Sequence, residues 1–159
     1  MKAKTALALM LICLCACGIR PTGTIGAGPG PAAAAPNTSV AIYLINPAGK
    51  LVAVTRPGLV GDPYYPVVQL LGRPTTQERR WGLRNEVPQR RAAHFDHPAE
   101  KSLSITLEDD LPWTRLAQAQ VICTAMTIPR VARVRLIFVR TGSTRYLPSR
   151  TCEDYRDLR

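Results

Sequence analysis

Aromatic residues make up 6% of this 159-residue chain. No interleaved aromatic–basic motif appears, so a nucleic-acid-binding surface is a poor reading. No apolar run reaches about 18 residues, so no permanent membrane-spanning helix is expected. Glycine and proline number 11 and 14, far short of a collagen-like composition. Histidine occurs twice. Acids are few beside bases: Asp+Glu 11 against Lys+Arg 21, a net charge of +10. There are still too many acids for a wholly basic tail protein. What remains is 46% apolar residues in a length suited to one globular unit with a single modest core.

Met1-Lys2-Ala3-Lys4 is a short basic stretch, and Thr5 to Ala16 is apolar before Cys17. This reads as the n-region and h-region of a secretory signal, too short to span a membrane. Leu14-Cys15-Ala16-Cys17 resembles a bacterial lipobox: a branched apolar residue, a small residue before the cut, and a cysteine at it. We therefore expect a signal peptide over 1–16 and a diacylglyceryl group on the Cys17 thiol. The alternative is an ordinary signal cleaved nearby. Two or three acyl chains, at about 0.8 kcal/mol per buried methylene, would hold the chain on the membrane. Residues 17–39 are rich in Gly, Pro, Ala and Thr and carry one charge, Arg20. They read as a flexible tether with a reach of roughly 25 Å. The globular domain is expected over 40–159.

The five cysteines are Cys13, Cys15, Cys17, Cys123 and Cys152. The first two leave with the signal, and Cys17 takes the lipid. In an exported protein the remaining pair is expected to form a Cys123–Cys152 disulfide. The alternative is two unrelated buried thiols. Neither has a second Cys or a His nearby in sequence, which disfavours a metal site. Loss of Lys2 and Lys4 leaves 19 bases and 11 acids, a mature charge near +8.

Along the domain, Val40–Ile45 and Leu51–Thr55 are β-rich runs flanking the turn residues Asn46-Pro47-Ala48-Gly49, which makes a hairpin. Val67, Leu70 and Leu71 fall at helical spacing, with Asp62 as N-cap and Pro63 at the first helical position. Gly72 and Pro74 end that helix. Thr75-Thr76-Gln77-Glu78 fits a capping box opening a short turn through Trp81. Arg90–His97 is a weak strand. Leu103, Ile105 and Leu107 alternate with polar residues as a half-buried strand. Glu108-Asp109-Asp110 reads as a turn, and Pro112 opens a second helix through Cys123 and Thr124 that closes at Pro129. Val131–Val139 is the strongest strand, its arginines alternating outward against Val134, Leu136 and Phe138. A short strand follows near Tyr146, and the tail is loose except where Cys152 pins it. The order β-β-α-β-β-α-β-β predicts an α+β fold: a small, mostly antiparallel sheet with two helices packed on one face.

Little chemistry is encoded. His94 and Asp96 would share a strand face while His97 falls on the other, too few convergent ligands for a metal. The serines lack a nucleophile elbow. Cys123 lies in a buried helix. The Gly23–Gly30 run follows no strand and opens no helix. No catalytic residue, cofactor or metal is expected. A basic surface is drawn from Arg79, Arg80, Arg90, Arg91, Arg133 and Arg135, set against the plainer reading of solvated arginines.

Four segments together resemble the GerMN domain of sporulation and spore germination, as carried by actinobacterial lipoproteins. They are Cys17-Gly18-Ile19-Arg20-Pro21-Thr22-Gly23, then Leu70-Leu71-Gly72-Arg73-Pro74-Thr75 with Glu78, Gly82-Leu83 and Val87-Pro88. After them come Ala117–Thr124 and the strand Val131–Val139 with Gly142. Arg73 interrupts the family's usual Gly-Pro step. The resemblance implies a fold similar to ring-building-motif domains and a scaffold that binds other envelope proteins, with no catalytic residues. The expected function is a lipid-anchored, extracytoplasmic interaction module that pairs with a partner or with itself. Its final strand or its Val40–Ile45 strand would offer an open edge. The alternative is a lipoprotein that binds an anionic lipid headgroup or wall polymer through its arginines.

Overall fold

The computed structural model describes residues 38–89, 93–97, 99–108 and 113–159. The expected signal, the Cys17 lipid site, most of the tether, Arg90, Arg91, Asp109, Asp110 and Pro112 lie outside the described residues. The architecture is α+β. No helix among the described residues is long and apolar enough to cross a membrane.

Strands β1 (Ser39–Ile45) and β2 (Leu51–Pro57) form an antiparallel hairpin, in register from Ser39 opposite Pro57 to Ile45 opposite Leu51. Its turn is the one the sequence predicts. Asn46 Oδ1 accepts from the Lys50 amide at 2.9 Å, and Gly49 supplies the positive φ of 77° that a side chain would resist.

Helix α1 (Tyr65–Leu71) starts later than expected: Tyr64 is its N-cap, and Pro66 sits in the first turn. A proline there loses nothing, because a first-turn amide has no intrahelical partner. Asp62 instead builds the lead-in, its Oδ1 accepting from the Tyr64 amide at 2.9 Å. Helix α2 (Thr76–Arg80) carries the predicted capping box. Thr75 Oγ1 accepts from the Glu78 amide at 3.2 Å, and Glu78 Oε2 accepts from the Thr75 amide at 2.6 Å.

Glu78 has a second task. Its carboxylate, buried, receives a two-pronged contact from the buried Arg56 of β2: Nε to Oε1 at 2.8 Å and Nη2 to Oε2 at 2.6 Å. Arg56 Nη1 also donates to the Gln69 carbonyl of α1 at 2.9 Å. One ion pair therefore joins β2, α1 and α2. Burial pushes the Glu78 carboxyl up, but the Arg56 guanidinium and the Thr75 donors outweigh it, and its pKa lies below the ordinary 4.5.

The remaining strands form a separate four-stranded sheet in the order β3 (Ala93–Asp96), β4 (Ser102–Glu108), β5 (Arg133–Arg140), β6 (Ser143–Tyr146). The pairing is mostly antiparallel, as expected, but the strands divide between two sheets in place of one, and one pairing differs. β4 and β5 are parallel, with Leu103 beside Val134 and Leu107 beside Phe138. The physical reason lies in the connection. Parallel neighbours need a crossover long enough to return the chain, and helix α3 (Arg115–Ala125) supplies it.

Helix α3 begins at Thr114, whose Oγ1 accepts from the Ala117 amide at 3.0 Å. Every residue from Ala119 to Ala125 is buried. It lies on no single sheet face. It packs against β1, α1, β5 and the C-terminal 3-10 helix (Cys152–Leu158). A helix buried around most of its circumference is a core helix.

Gln120 and Thr124 of the helix, with Thr127 beyond it, face β1. Thr127 Oγ1, just past the helix end, donates to the Ala41 carbonyl at 3.0 Å. Thr124 Oγ1 accepts from the Tyr43 amide at 2.9 Å, and Gln120 Nε2 donates to the Tyr43 carbonyl at 3.0 Å. Ile45 completes the row by exchanging two 2.9 Å backbone bonds with Arg84. The Val40–Ile45 edge, expected to be open to a partner, is thus sealed from within. Buried backbone groups need partners, and side chains here replace a third strand.

Two substitutions test these joints. Gln120→Ala strands the Tyr43 carbonyl and the Glu86 amide, which donates to Gln120 Oε1 at 2.9 Å. Urea unfolding should show a loss of about 2–6 kcal/mol, since each of the two orphaned groups costs about 1–3 kcal/mol. The exposed Gln77→Ala control should stay within about 0.5 kcal/mol.

Glu78→Gln should cost about 3–5 kcal/mol by leaving Arg56 buried and unpaired. The pH sign follows from the lowered pKa. The stabilisation by Glu78 is complete above 4.5 and is lost as pH falls through the lower folded value. Stability measured from neutral to acid pH should therefore fall less steeply below 4.5 in Glu78→Gln than in the parent chain.

Candidate interaction surface

The four-stranded sheet has one inward and one outward face. Leu103, Ile105 and Leu107 of β4 and Val134, Leu136 and Phe138 of β5 point inward and are buried. The Trp113 ring, just before α3, lies 5.0 Å from the Phe138 ring, which places α3 on this side.

Alternation sends the intervening residues outward. The registers set them in rows across the sheet. Ser102 stands beside Arg133, and Asp96, Ser104 and Arg135 form the next row. His94, Thr106, Ile137 and Tyr146 follow, and then Glu108, Val139 and Thr144. On this face Ser104 is buried, Ser102, Thr106, Ile137 and Val139 are half-buried, and the other residues named are exposed. Tyr146 is 66% exposed.

Strand β6 forms one edge. Its four residues are all exposed, and among the described residues no strand pairs with its outer side. It is held to β5 by its ladder and by Arg145, whose guanidinium carbon lies 5.1 Å from the Phe138 ring centroid.

The sequence-predicted residues fall in different places. Arg133 and Arg135 stand outward on β5, as the alternation predicts. Arg79 and Arg80 ride exposed on α2, a separate element, and Arg79 bonds locally to the Pro74 carbonyl and to Thr76 Oγ1. His94 and Asp96 share a face, Nε2 to Oδ1 at 3.2 Å, while His97 Nδ1 meets the Ser102 carbonyl at 3.0 Å.

Cys123 and Cys152 are joined as a disulfide, with Cα atoms 4.6 Å apart. The C-terminal segment is therefore fixed to the core helix. Arg150 exchanges backbone bonds with Val134 at 2.8 and 2.9 Å, extending the sheet past β5 on the β6 side. Tyr155 is buried beside α3, and burial pushes its hydroxyl pKa up. Arg115 of α3 grips Asp157 with both terminal nitrogens, at 2.5 and 2.8 Å. Its hydrogen bond holds the Asp157 carboxyl down to about 2.

Two residues escaped the sequence reading. Lys101, in the β3–β4 turn, and Arg130, in the α3–β5 turn, have φ of 60° and 68°. A lone basic residue in a turn carries no sequence signal for that conformation. Both line one cleft.

No family model, curated protein or solved structure matches the chain.

The disulfide closes a loop across 29 positions. Replacing both partners, Cys123→Ala with Cys152→Ala, should lower the unfolding free energy by about 3–4 kcal/mol in the chain-entropy treatment. Hydrogen exchange should quicken first at the Val134 and Arg150 amides, because their bridge depends on the pinned segment.

Proposed function

We propose that this protein is a non-catalytic interaction module of the cell envelope, anchored by lipid on Cys17 at the extracytoplasmic membrane face. It offers the outward face of the four-stranded sheet and the β6 edge to another envelope protein or to a second copy of itself. The observation that carries the reading is the contrast between the two strand edges. The β1 edge is sealed by Gln120, Thr124 and Thr127, whereas β6 ends the other sheet with its outer side unpaired among the described residues. Unsealed edges and half-apolar sheet faces favour strand addition and face-to-face docking. Ile137, Val139 and Tyr146 supply apolar contact, and Arg133 and Arg135 supply charge to steer an acidic partner. The resemblance to GerMN-type lipoproteins supports the same reading.

Site-specific photo-crosslinking in intact cells tests it with the Cys17 anchor kept. A photoreactive residue at Tyr146 or Ile137 should trap one stoichiometric protein adduct. The same residue at Ala48, in the hairpin turn, should trap none. Equal trapping at all three positions would sink the proposal. Binding to anionic liposomes that weakens steeply with salt, without any adduct, would favour the arginine-surface ligand reading instead.

A further inference from the structure

We propose that the cleft between the β3–β4 turn and the α3–β5 turn binds a phosphate-bearing amphiphile whose headgroup also carries a hydroxyl or ammonium donor. The cleft has a volume of about 650 Å³, within the range of small-ligand sites. Pro63, Ala99, Ile128 and Pro129 give it apolar walls, and Lys101, Arg130, Glu100 and His97 give it polar ones.

Three observations point to that ligand. The first is charge. Lys101 and Arg130 line the same cleft, and neither has an ion-pair partner among the described residues. Two unpaired cations at one mouth suit a phosphate oxygen pair. Glu100 stands with them and opposes a bare anion, which selects a headgroup that brings its own donor beside the phosphate.

The second is rigidity. The Lys101 carbonyl accepts from the Ala132 amide at 2.8 Å and from the Arg133 amide at 3.1 Å. The turn bearing one cation is therefore bonded to the chain just past the other. His97 donates its Nδ1 hydrogen to the Ser102 carbonyl, which fixes its ring in the wall.

The third is backbone strain. Both cations occupy the left-handed region, where a side chain costs energy and glycine does not. The chain keeps a long cationic side chain at two such positions on one cleft. The apolar walls then favour a ligand with a hydrocarbon portion over a purely polar anion. The site is distinct from the outward sheet face and does not depend on the interaction role proposed above.

The test uses the full chain, isotope-labelled, with amide shifts followed by NMR. Dihexanoyl phosphatidylglycerol, kept below its micelle-forming concentration, should shift residues 99–101 and 128–130 in a saturable way. Inorganic phosphate should act at the same residues far more weakly. A poly(glycerol phosphate) oligomer that binds there more tightly than the lipid would keep the phosphate site but overturn the lipid as its source. Shifts centred on Arg133 and Arg135 instead would overturn the site.

Lys101→Ala with Arg130→Ala should weaken lipid binding about tenfold or more with the fold intact. Lys101→Gly with Arg130→Gly should weaken it equally while raising the melting midpoint by a few degrees, since the strain is released. A lowered midpoint in the glycine variant would show that these side chains serve the fold, and would overturn the proposal.

Discussion

Ala41, Tyr43 and Ile45 present their outer backbone groups to a helix and a loop in place of a strand. Gln120 and Thr124, one helical turn apart, take the carbonyl and the amide of the same residue, Tyr43, and Thr127 takes the carbonyl of Ala41, one strand repeat away. A two-stranded hairpin is marginal by itself. Here it becomes part of the core because α3 supplies what a neighbouring strand would. The central position of α3 follows from the same demand: it must touch β1 on one side and carry the chain from β4 to β5 on the other.

Polar groups inside this small core are therefore structural joints. Arg56 and Glu78 tie the hairpin to the two short helices, and the disulfide ties the C-terminal segment to α3. No buried polar side-chain atom among the described residues lacks a partner. Polar and apolar groups not used in these joints meet solvent at the outward sheet face, the β6 edge and the Lys101–Arg130 cleft, and at the exposed Leu59, Val60 and Trp81.

Much of this was legible in local patterns. The Asn46–Gly49 turn, the Thr75–Glu78 capping box, the arginine alternation on β5 and the α+β class rest on neighbours in sequence. The cysteine pairing followed from the count, because two cysteines remain once the expected leader and lipid site are set aside. The parallel pairing of β4 and β5 was less visible. Two amphipathic strands look the same whether they run alike or opposed, and only the length of the connection separates the cases. The sealing of β1 was invisible, since Gln120 and Thr124 read as ordinary helix residues until the fold brings them to a strand far away in sequence. Asp62 misled because an Asx turn and an N-cap use the same side chain on the same kind of backbone. The candidate cleft was hidden for a related reason: left-handed backbone is written clearly by glycine and not at all by lysine or arginine.

The partnership between Tyr43 and Thr124 spans 81 positions. A chain leaving the ribosome N-terminus first completes its hairpin long before the helix that closes it exists. During that interval the strand shows bare amides and carbonyls to every neighbouring nascent chain. Closure is then a long-range event, of the kind that slows folding and favours misassembly. Until Gln120, Thr124 and Thr127 are in place, the outer groups of Ala41 and Tyr43 have no partner from α3.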